Sequence, residues 1–322
     1  MDHVSPPLSS NLTIADSIKN YLLITKPGII AGNLVSVTGG FLLASQGHVD
    51  IALLLATLLG IALVIASGCV FNNSLDRDID QVMSRTRNRA LASGLISNHS
   101  AEFYAAILGI IGISLLWAAT NLLTVAIVFA GFVVYVGVYT MYLKRSSSHA
   151  ALIGSIAGAT PPLAGYCAVT GQFDIGALIL LAIFSLWQMP HFYAIAIYRL
   201  EDYRNAAIPV LPVKRGIAVT KRHIISYIFA FIIASLALTF LGYTGYWYLT
   251  AALITGAGWL YFAFSGYRKS TERKWARKLF AYSIVIVIVT NIMISVDFVT
   301  PEVSQNDVYA SQTLAESAIV AP

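Results

Sequence analysis

Charged residues are scarce in this sequence. Lys, Arg, Asp and Glu together make up 11% of the 322 residues, whereas soluble domains carry about a quarter. Hydrophobic residues make up 57%, and the mean hydropathy is +0.75. A water-soluble domain of this length could not bury so much apolar surface in its core. The composition therefore excludes a soluble enzyme and a disordered protein, and it predicts an integral membrane protein.

Cysteine is also nearly absent. The two cysteines, Cys69 and Cys167, are predicted to lie at opposite depths of the membrane, so we expect no disulfide between them. A disulfide-stabilised scaffold is thereby excluded. The sequence has no Cys-x-x-Cys-His motif, which excludes covalent attachment of a c-type haem. The stretch before Lys19 has no Lys or Arg and does not resemble a secretory signal or a transit peptide.

Long apolar runs predict nine membrane-spanning helices. Each run has about the 20 residues that a helix needs to cross a bilayer, and its hydrophobicity is continuous, which excludes a membrane β-barrel. We therefore expect an all-α bundle formed by residues 22–299, preceded by segment 1–21 and followed by a disordered tail, 300–322. The predicted spans are Leu22–Ala44, Ile51–Phe71, Glu102–Thr120, Leu122–Leu143, Ala150–Thr170, Ile175–Tyr198, Ile224–Tyr243, Tyr246–Tyr267 and Ala276–Val299.

The basic residues predict the orientation of the bundle. All 20 Lys and Arg fall on one side of the nine-span arrangement, and the opposite loops have none. By the positive-inside rule, the N-terminus is cytoplasmic and the C-terminal tail lies outside. The same asymmetry explains the net charge of +5 by attraction to anionic lipid, without a nucleic-acid partner. We expect a multi-pass protein of the bacterial inner membrane.

The most informative polar stretch follows the second predicted span. Asn72, Asp76 and Asp80 are spaced by four residues, which places them on one face of a helix. Because like charges at this spacing repel each other, a bound cation would stabilise them. Oxygen ligands of this kind suit Mg²⁺. A solvated acidic loop is the alternative that the spacing alone leaves open.

Three arginines follow these carboxylates, in the run Met83–Arg89. Carboxylates beside arginines are typical of a site for a magnesium diphosphate, because Arg can bind phosphate oxygens with two hydrogen bonds. We expect Arg85 and Arg89, one helical turn apart, to contact the diphosphate. Topology signalling is the alternative for each arginine taken alone.

The loop after the sixth predicted span carries a weaker version of this pattern. Asp202 lies in it, and Lys214 follows further along. A parallel repeat of four helices, with a ninth added, would bring this loop and the first one over the same cavity. We therefore expect Asp202 to be a further metal ligand.

With these residues, the chain resembles the UbiA superfamily of intramembrane prenyltransferases. The spacing Asn-x3-Asp-x3-Asp after the second of nine helices and the stretch RTRNR carry the resemblance. Four stretches further resemble the branch that farnesylates haem: NNSLDRDIDQVMSRTRNRAL, GATPPLAGY, QMPHF and EDYRNAAIPVLPV. The resemblance implies a UbiA-like bundle that transfers farnesyl from farnesyl diphosphate to a vinyl group of haem B, with Mg²⁺ as cofactor. Haem is then a substrate, and haem A synthase or oxidase assembly proteins are implied partners.

The sequence departs from the superfamily at two positions. Relatives that prenylate aromatic rings often carry a second DxxxD motif, but the residue four after Asp202 is Ala206. Metal ligation by this loop therefore rests on fewer carboxylates. Ala90 stands where many relatives have Pro, which affects the stiffness of the loop rather than its chemistry.

The implied chemistry assigns roles to residues around the site. The expected metal ligands are Asn72, Asp76, Asp80 and Asp202. The expected catalytic residues, which stabilise the charge on the departing diphosphate, are Asp76, Asp80, Arg85, Arg89 and Lys144. The expected substrate-binding residues are Lys26, Arg145, Tyr142, His191, Tyr198 and Lys214. For Lys26, snorkelling to the membrane interface is the alternative.

His191 is the ionisable residue expected inside a span. It follows Pro190, where we expect a kink, and ionisable groups within membrane spans are commonly functional. His191 is therefore a candidate contact for haem, and a hydrogen-bonded structural histidine is the alternative. Aromatic rings could stabilise an allylic cation, with packing as their alternative role. The candidates are Tyr139, Tyr142, Tyr166, Phe192 and Tyr198.

Two other functions compete with haem farnesylation. A prenyltransferase that acts on a quinone or phenolic ring would differ only in its acceptor. A transporter would carry its ionisable groups near the middle of the bilayer on broken helices. We expect Asp76, Asp80 and Asp202 at the cytoplasmic face of the membrane instead, so the sequence favours an enzyme.

Overall fold

A computed structural model describes residues 13–266 and 271–299. Within these ranges, the regular structure is helical apart from one isolated bridge between Thr244 and Phe298, and nine helices are long and apolar enough to cross a membrane. The predicted all-α class and number of spans are therefore confirmed. The predicted disordered tail, 300–322, lies outside the described residues. The spans, numbered 1 to 9, are Pro27–Ser45, Ile51–Leu75, Asn98–Ala119, Leu122–Ser146, Ala150–Thr170, Ile175–Tyr198, Leu211–Phe240, Tyr246–Ser265 and Glu272–Val296.

Span 1 begins later than predicted. A separate N-terminal helix, Ile14–Ile24, precedes it, and Lys26 between the two helices has a left-handed backbone with φ of 57°. Pro27 starts span 1, where its missing N–H leaves no helical hydrogen bond unmade. The predicted start at Leu22 is wrong because Leu22 and its neighbour form the exposed apolar side of a surface helix. Hydropathy alone does not separate such a helix from a span.

Spans 7 and 9 begin earlier than predicted, at Leu211 and Glu272 rather than at Ile224 and Ala276. Their first turns are rich in Lys and Arg, which lowers the local hydropathy although the backbone is already helical. Span 7 is interrupted at Gly216, whose φ of 80° is not helical. The loop between spans 6 and 7 is therefore shorter than predicted, and it contains a short helix, Leu200–Asn205.

Four spans form a closed ring at the centre of the bundle. Span 1 packs on span 5, span 5 on span 6, span 6 on span 9 and span 9 on span 1, while spans 2 to 4 and spans 7 and 8 flank this ring. Spans 1 and 5 approach so closely that a Cβ on Gly40 would overlap the carbonyl oxygen of Pro162, and one on Gly165 would overlap that of Val37. Glycine is required at both positions because only a backbone without a Cβ allows this contact.

Span 4 has an unusual backbone. Its first part is α-helical, but Val134–Leu143 forms a π-helix, and Lys144 follows directly. In an α-helix, the nine steps from Tyr135 to Lys144 would make about two and a half turns, so these two residues would lie on opposite sides. The wider turns of a π-helix complete about two turns over the same length. The π-helix thus turns Tyr135, Thr140 and Lys144 towards the same side of span 4.

Candidate active site

Three polar side chains are buried where span 2 ends. Asn72, Asp76 and Asp80 are each less than a tenth exposed, and Asp76 is only 2% exposed. The backbone N–H of Asp76 donates to the carbonyl of Asn72 (3.0 Å), and that of Asp80 donates to the carbonyl of Asp76 (2.8 Å). The helical spacing therefore continues past Leu75 into the short helix Arg77–Val82. This places the three side chains on one face.

Basic side chains from other segments bind these groups. Lys144 forms an ion pair with Asp76 Oδ2, which also accepts a hydrogen bond from Asn72 Nδ2 (2.7 Å). Lys26 donates to Asn72 Oδ1 (2.6 Å), and Arg89 pairs with Asp80 (2.8 Å). The other oxygen of Asp76, Oδ1, is buried and has no hydrogen-bond partner among the described residues. The site thus gathers positive charge around buried carboxylates and leaves one carboxylate oxygen free.

The expected metal ligands do not form one cluster in this structure. Within the described ranges, no three or more His, Cys, Asp and Glu side chains lie close enough to hold a metal ion. Asp202 is bound elsewhere: it accepts a hydrogen bond from Ser84 (2.8 Å) and lies 3.8 Å from Arg199. All the expected ligands present oxygen atoms, which is the donor set that Mg²⁺ prefers. Each carboxylate that would bind the ion is instead paired with a cation or a hydroxyl.

Thr140 connects the π-helix to these carboxylates. Its hydroxyl donates to the carbonyl of Tyr135 (2.8 Å), five residues earlier, and accepts from Asn72 Nδ2 (3.3 Å). Thr140 is fully buried, and the neighbouring Tyr139 stacks on Tyr135 with ring centroids 6.0 Å apart. The π-helix therefore positions both Thr140 and Lys144 against the end of span 2.

Arg145 binds the remaining carboxylate of the motif. Its guanidinium forms two hydrogen bonds of 2.7 Å with Asp78 and one of 2.6 Å with the carbonyl of Leu75. The guanidinium holds the pKa of Asp78 at about 2, below its ordinary value. Asp78 is well exposed, so this pair ties span 4 to the end of span 2 at the rim of the site.

The two long loops, which follow spans 2 and 6, meet at the site. Besides the hydrogen bond from Ser84 to Asp202, Ile79 and Met83 of the first loop pack against Ile208 of the second. Tyr203 lies between them, where burial raises the pKa of its hydroxyl although the charges of Lys144 and Arg85 act in the opposite direction. The expectation that the two loops come together is confirmed by these contacts.

Several expected site residues lie outside this cluster. Tyr142 is 67% exposed, Lys214 and Arg85 are exposed, and Tyr166 donates to Asp174 (2.8 Å) at the other end of spans 5 and 6. The chain after Met83 forms turns rather than a helix, so Arg85 and Arg89 are not one helical turn apart, and that expectation is wrong. The helix ends because the backbone of Met83 is extended, with ψ of 127°. The hydroxyl of Thr86 then donates to the carbonyl of Asp80 (3.0 Å).

His191 and Tyr198 lie on span 6 and face span 9. His191 Nδ1 is 2.7 Å from Ser283 Oγ, and its ring contacts those of Trp187 and Phe280 at centroid distances of 4.9 and 4.7 Å. Tyr198 packs on Phe280 at 5.8 Å. Span 6 continues through Pro190 as one helix.

The sequence did not identify three residues that hold the site together. They are Thr140, Tyr203 and Asn73, whose side chain donates to the carbonyl of Ile24 (2.8 Å) and accepts from Arg89 (3.3 Å). The signal for Asn73 was its position beside Asn72, since two adjacent amides at a helix end are unusual in an apolar span. The sequence carried no signal for Thr140, because the role of this residue depends on the π-helix.

Comparisons with known proteins show the family to which the chain belongs. The model of the UbiA prenyltransferase family matches residues 33–285 of this chain. The chain is 60% identical over 280 residues to "Protoheme IX farnesyltransferase" of Photorhabdus laumondii, covering 87% of this chain and 95% of that protein. It is 58% identical over 284 residues to the protein of the same name from Yersinia enterocolitica, covering 88% and 96%.

Solved structures show the same fold. A digeranylgeranylglyceryl phosphate synthase matches with a TM-score of 0.73 at 22% identity, covering 88% of this chain and 98% of that one. A UbiA homolog from Archaeoglobus fulgidus, bound to GPP and Mg²⁺, matches with a TM-score of 0.65 at 15% identity, covering 86% of this chain and 100% of that one.

Proposed function

The chain belongs to the UbiA prenyltransferase family, and from this premise we propose that it transfers the farnesyl group of farnesyl diphosphate to a vinyl group of protohaem IX. The observation that carries the proposal is its 60% identity to a protohaem IX farnesyltransferase over 95% of that protein's length. The chain is a multi-pass membrane enzyme. Its product is haem O, which serves terminal oxidases, and haem A synthase or oxidase assembly proteins are the partners that this product implies.

The reaction joins two apolar substrates and releases a polar one. The bond between farnesyl C1 and the diphosphate oxygen breaks, and its electron pair leaves with diphosphate. The π electrons of the vinyl group form the new C–C bond to C1. Water then adds to the resulting cation and loses a proton, which leaves a hydroxyethylfarnesyl side chain. The main barrier is the negative charge that develops on the leaving diphosphate.

The basic residues around Asp76 can lower this barrier. Lys26, Lys144 and Arg89 are already held in place by buried oxygen acceptors. Preorganised positive charge lowers the barrier because it needs no rearrangement as the leaving group forms. Arg85, exposed beside Tyr203, extends this charge towards the solvent side.

A magnesium ion fits the donor set of the site. We infer that Asn72, Asp76 and Asp80 hold it and that Asp202 completes the set from the second loop. The unpartnered and buried Oδ1 of Asp76 supports this inference, because a buried carboxylate oxygen without a partner is costly. When bound, the ion would neutralise charge on the diphosphate oxygens.

The remaining expected contacts concern the apolar substrates. The farnesyl chain needs a water-free environment, and we infer that it lies among the apolar spans next to the two loops. Tyr198 lies on the side of span 6 that packs against span 9, where it can contact an apolar substrate. Tyr142, Lys214 and Arg145 would act at the rim, since Tyr142 and Lys214 are exposed and Arg145 binds Asp78.

We infer that the site opens towards the cytoplasm of a bacterial cell. The motif of span 2, the π-helix and both loops lie at the ends of spans where the Lys and Arg residues are concentrated. The positive-inside rule places these ends in the cytoplasm and the C-terminal residues outside. Farnesyl diphosphate, a cytoplasmic metabolite with a charged head, would then reach the basic side chains directly.

Metal and donor should bind cooperatively. In this structure, the carboxylates are paired with Lys144 and Arg89, so a metal ion alone must compete with these cations. A bound diphosphate would share these cations, which weakens their hold on the carboxylates and leaves carboxylate oxygens for the metal. We expect a non-hydrolysable farnesyl diphosphate analogue to tighten Mn²⁺ binding by at least about tenfold, within the usual range of coupling between sites. Paramagnetic resonance of Mn²⁺, with and without the analogue, measures this.

The coupling must also act in reverse, because linkage between two ligands is reciprocal. Mn²⁺ should therefore tighten binding of the analogue by the same factor. The variant Asp78→Asn is the matched control: it removes a nearby carboxylate that pairs with Arg145 at the rim and should leave the coupling intact. Equal affinity for Mn²⁺ with and without the analogue would contradict cooperative binding of metal and donor.

The function itself is tested by product analysis. Purified protein incubated with Mg²⁺, farnesyl diphosphate and haem B should yield farnesylated haem, detected by mass spectrometry. The matched reaction replaces haem with a phenolic quinone precursor and should give no prenylated ring. Prenylation of the phenol without any change to haem would overturn the assignment of the acceptor.

A further inference from the structure

The hydrogen bonds of Ser283 determine which nitrogen of His191 carries a proton. Ser283 Oγ lies 2.6 Å from the carbonyl oxygen of Phe280, to which it donates. A hydroxyl has a single proton to donate, so Ser283 Oγ must accept at its contact with His191 Nδ1, 2.7 Å away. Nδ1 therefore carries the proton of the neutral ring. Nε2 is left with a free lone pair.

The surroundings of His191 hold its ring in one orientation. The rings of Trp187 and Phe280 contact it from two helices, and Trp187 Nε1 donates to the backbone carbonyl of Ser283 (2.8 Å). Trp187 and His191 are thus both anchored on Ser283, which is fully buried. Among the described residues, Nε2 has no hydrogen-bond partner, and His191 is only partly buried. A purely structural histidine would use both nitrogens, because an unmade bond in an apolar setting is costly.

The aromatic side chains connect this histidine with the diphosphate site. Phe280 contacts both His191 and Tyr198. Tyr198 in turn lies close enough to Tyr203 to affect its hydroxyl, as do Lys144 and Arg85. His191 precedes Tyr198 by seven residues, which is about 10 Å along a helix. His191 therefore lies about two helical turns further along span 6 from the loops than Tyr198 does.

We propose that Nε2 of His191 is an axial ligand to the iron of the haem acceptor. A neutral imidazole with one nitrogen bound to a hydrogen-bond acceptor and the other free is the form that binds metals. Flat rings beside it provide the apolar contact that a macrocycle needs. The proposal rests on the proposed function, since it requires haem as the acceptor. It gives the iron a positioning role: ligation fixes the depth and rotation of the macrocycle, and hence the place of its vinyl groups.

Haem titration followed by absorption spectroscopy tests this directly. Ferric haem is added to the detergent-solubilised full-length protein and to His191→Gln, whose side chain can still donate to Ser283. We expect the variant to lose the nitrogen-ligated spectrum and to bind haem at least about tenfold more weakly. Added imidazole should restore that spectrum in His191→Gly. Thermal unfolding of each variant shows whether the bundle is intact.

A second histidine serves as the matched control. His223 on span 7 also contacts two aromatic rings, Tyr193 at 6.2 Å and Tyr227 at 6.4 Å, but the described residues give it no side-chain hydrogen bond that selects a tautomer. His223→Gln should leave the spectrum and the affinity unchanged. Ser283→Ala should keep a nitrogen-ligated spectrum but weaken haem binding by about tenfold, because it removes the group that orients the ring.

The outcomes separate this proposal from the proposed function. If His191→Gln retains the spectrum and affinity of the parent, iron ligation by His191 is wrong, and formation of farnesylated haem by the parent would still support the function. If the parent neither binds haem nor forms the product, both proposals are wrong. Loss of the spectrum in His191→Gln, with rescue of His191→Gly by imidazole, supports the ligand assignment.

Discussion

Replacing Asp76 with Asn should lower the rate of product formation by about a thousandfold, the usual scale for removing a central electrostatic group from an active site. Asp76 is the most buried carboxylate of the motif and binds both Lys144 and Asn72. Asn has nearly the same shape but no charge. It offers Lys144 only a neutral acceptor, and it provides no anionic oxygen for a metal. Turnover of farnesyl diphosphate at saturating haem measures the loss.

Asp78→Asn is the control for this prediction. It makes the same change from carboxylate to amide two residues further along the chain. Asp78, however, is exposed and pairs with Arg145 at the rim. We expect a change of no more than a few-fold, since exposed ion pairs contribute about 1 kcal/mol or less. The thermal midpoint of Asp76→Asn must be recorded as well, because a half-buried Lys144 without its charged partner also lowers stability. If both variants lose turnover equally, the special role of Asp76 is refuted.

Gly40→Ala should produce the largest loss of stability among conservative changes in the spans. A Cβ at residue 40 would overlap the carbonyl oxygen of Pro162, and a backbone atom cannot move aside as a side chain can. Spans 1 and 5 would have to separate along their contact. We expect a loss of about 3 kcal/mol in the free energy of unfolding, at the upper end for overpacking a tight core. Equilibrium unfolding in mixed micelles measures it.

Gly32→Ala provides the comparison on the same span. No atom lies within 4 Å of the position that its Cβ would occupy, so the added methyl group meets no neighbour. The variant should be as stable as the parent, or more stable by up to about 1 kcal/mol, because Ala favours the helix. Similar losses at both positions would show that helix propensity, and not the contact between spans 1 and 5, determines the effect.

The sequence predicted the membrane class and the number of spans because both depend on summed hydrophobicity. It also located the acidic motif, since a spacing of four residues persists wherever the backbone is helical. The start of span 1 was missed because Leu22 and Leu23, at the exposed apolar end of the preceding helix, continue directly into the apolar run of the span. The left-handed backbone at Lys26 separates the two helices. Pro27 disfavours a helical backbone in the residue before it, but a count of apolar residues does not use that signal.

The partners of the carboxylates were less predictable. Arg89 and Lys144 were expected to bind diphosphate directly, but in this structure they bind Asp80 and Asp76. Their positions depend on contacts between distant segments and, for Lys144, on a π-helix whose sequence does not differ visibly from that of an α-helix. Arg145 likewise binds Asp78, 67 residues away in the chain. Pairings over such distances follow from tertiary packing, which a periodicity does not encode.

The ion pair between Asp76 and Lys144 also has a consequence for synthesis of the protein. The two residues are 68 positions apart. At ribosomal rates of about 5 to 20 residues per second, Lys144 is therefore synthesised about 3 to 14 seconds after Asp76. During that interval, the nascent chain carries an uncompensated acidic group at the membrane surface, where headgroup water can solvate it. Docking of this group into the bundle is therefore delayed until the fourth span has been inserted.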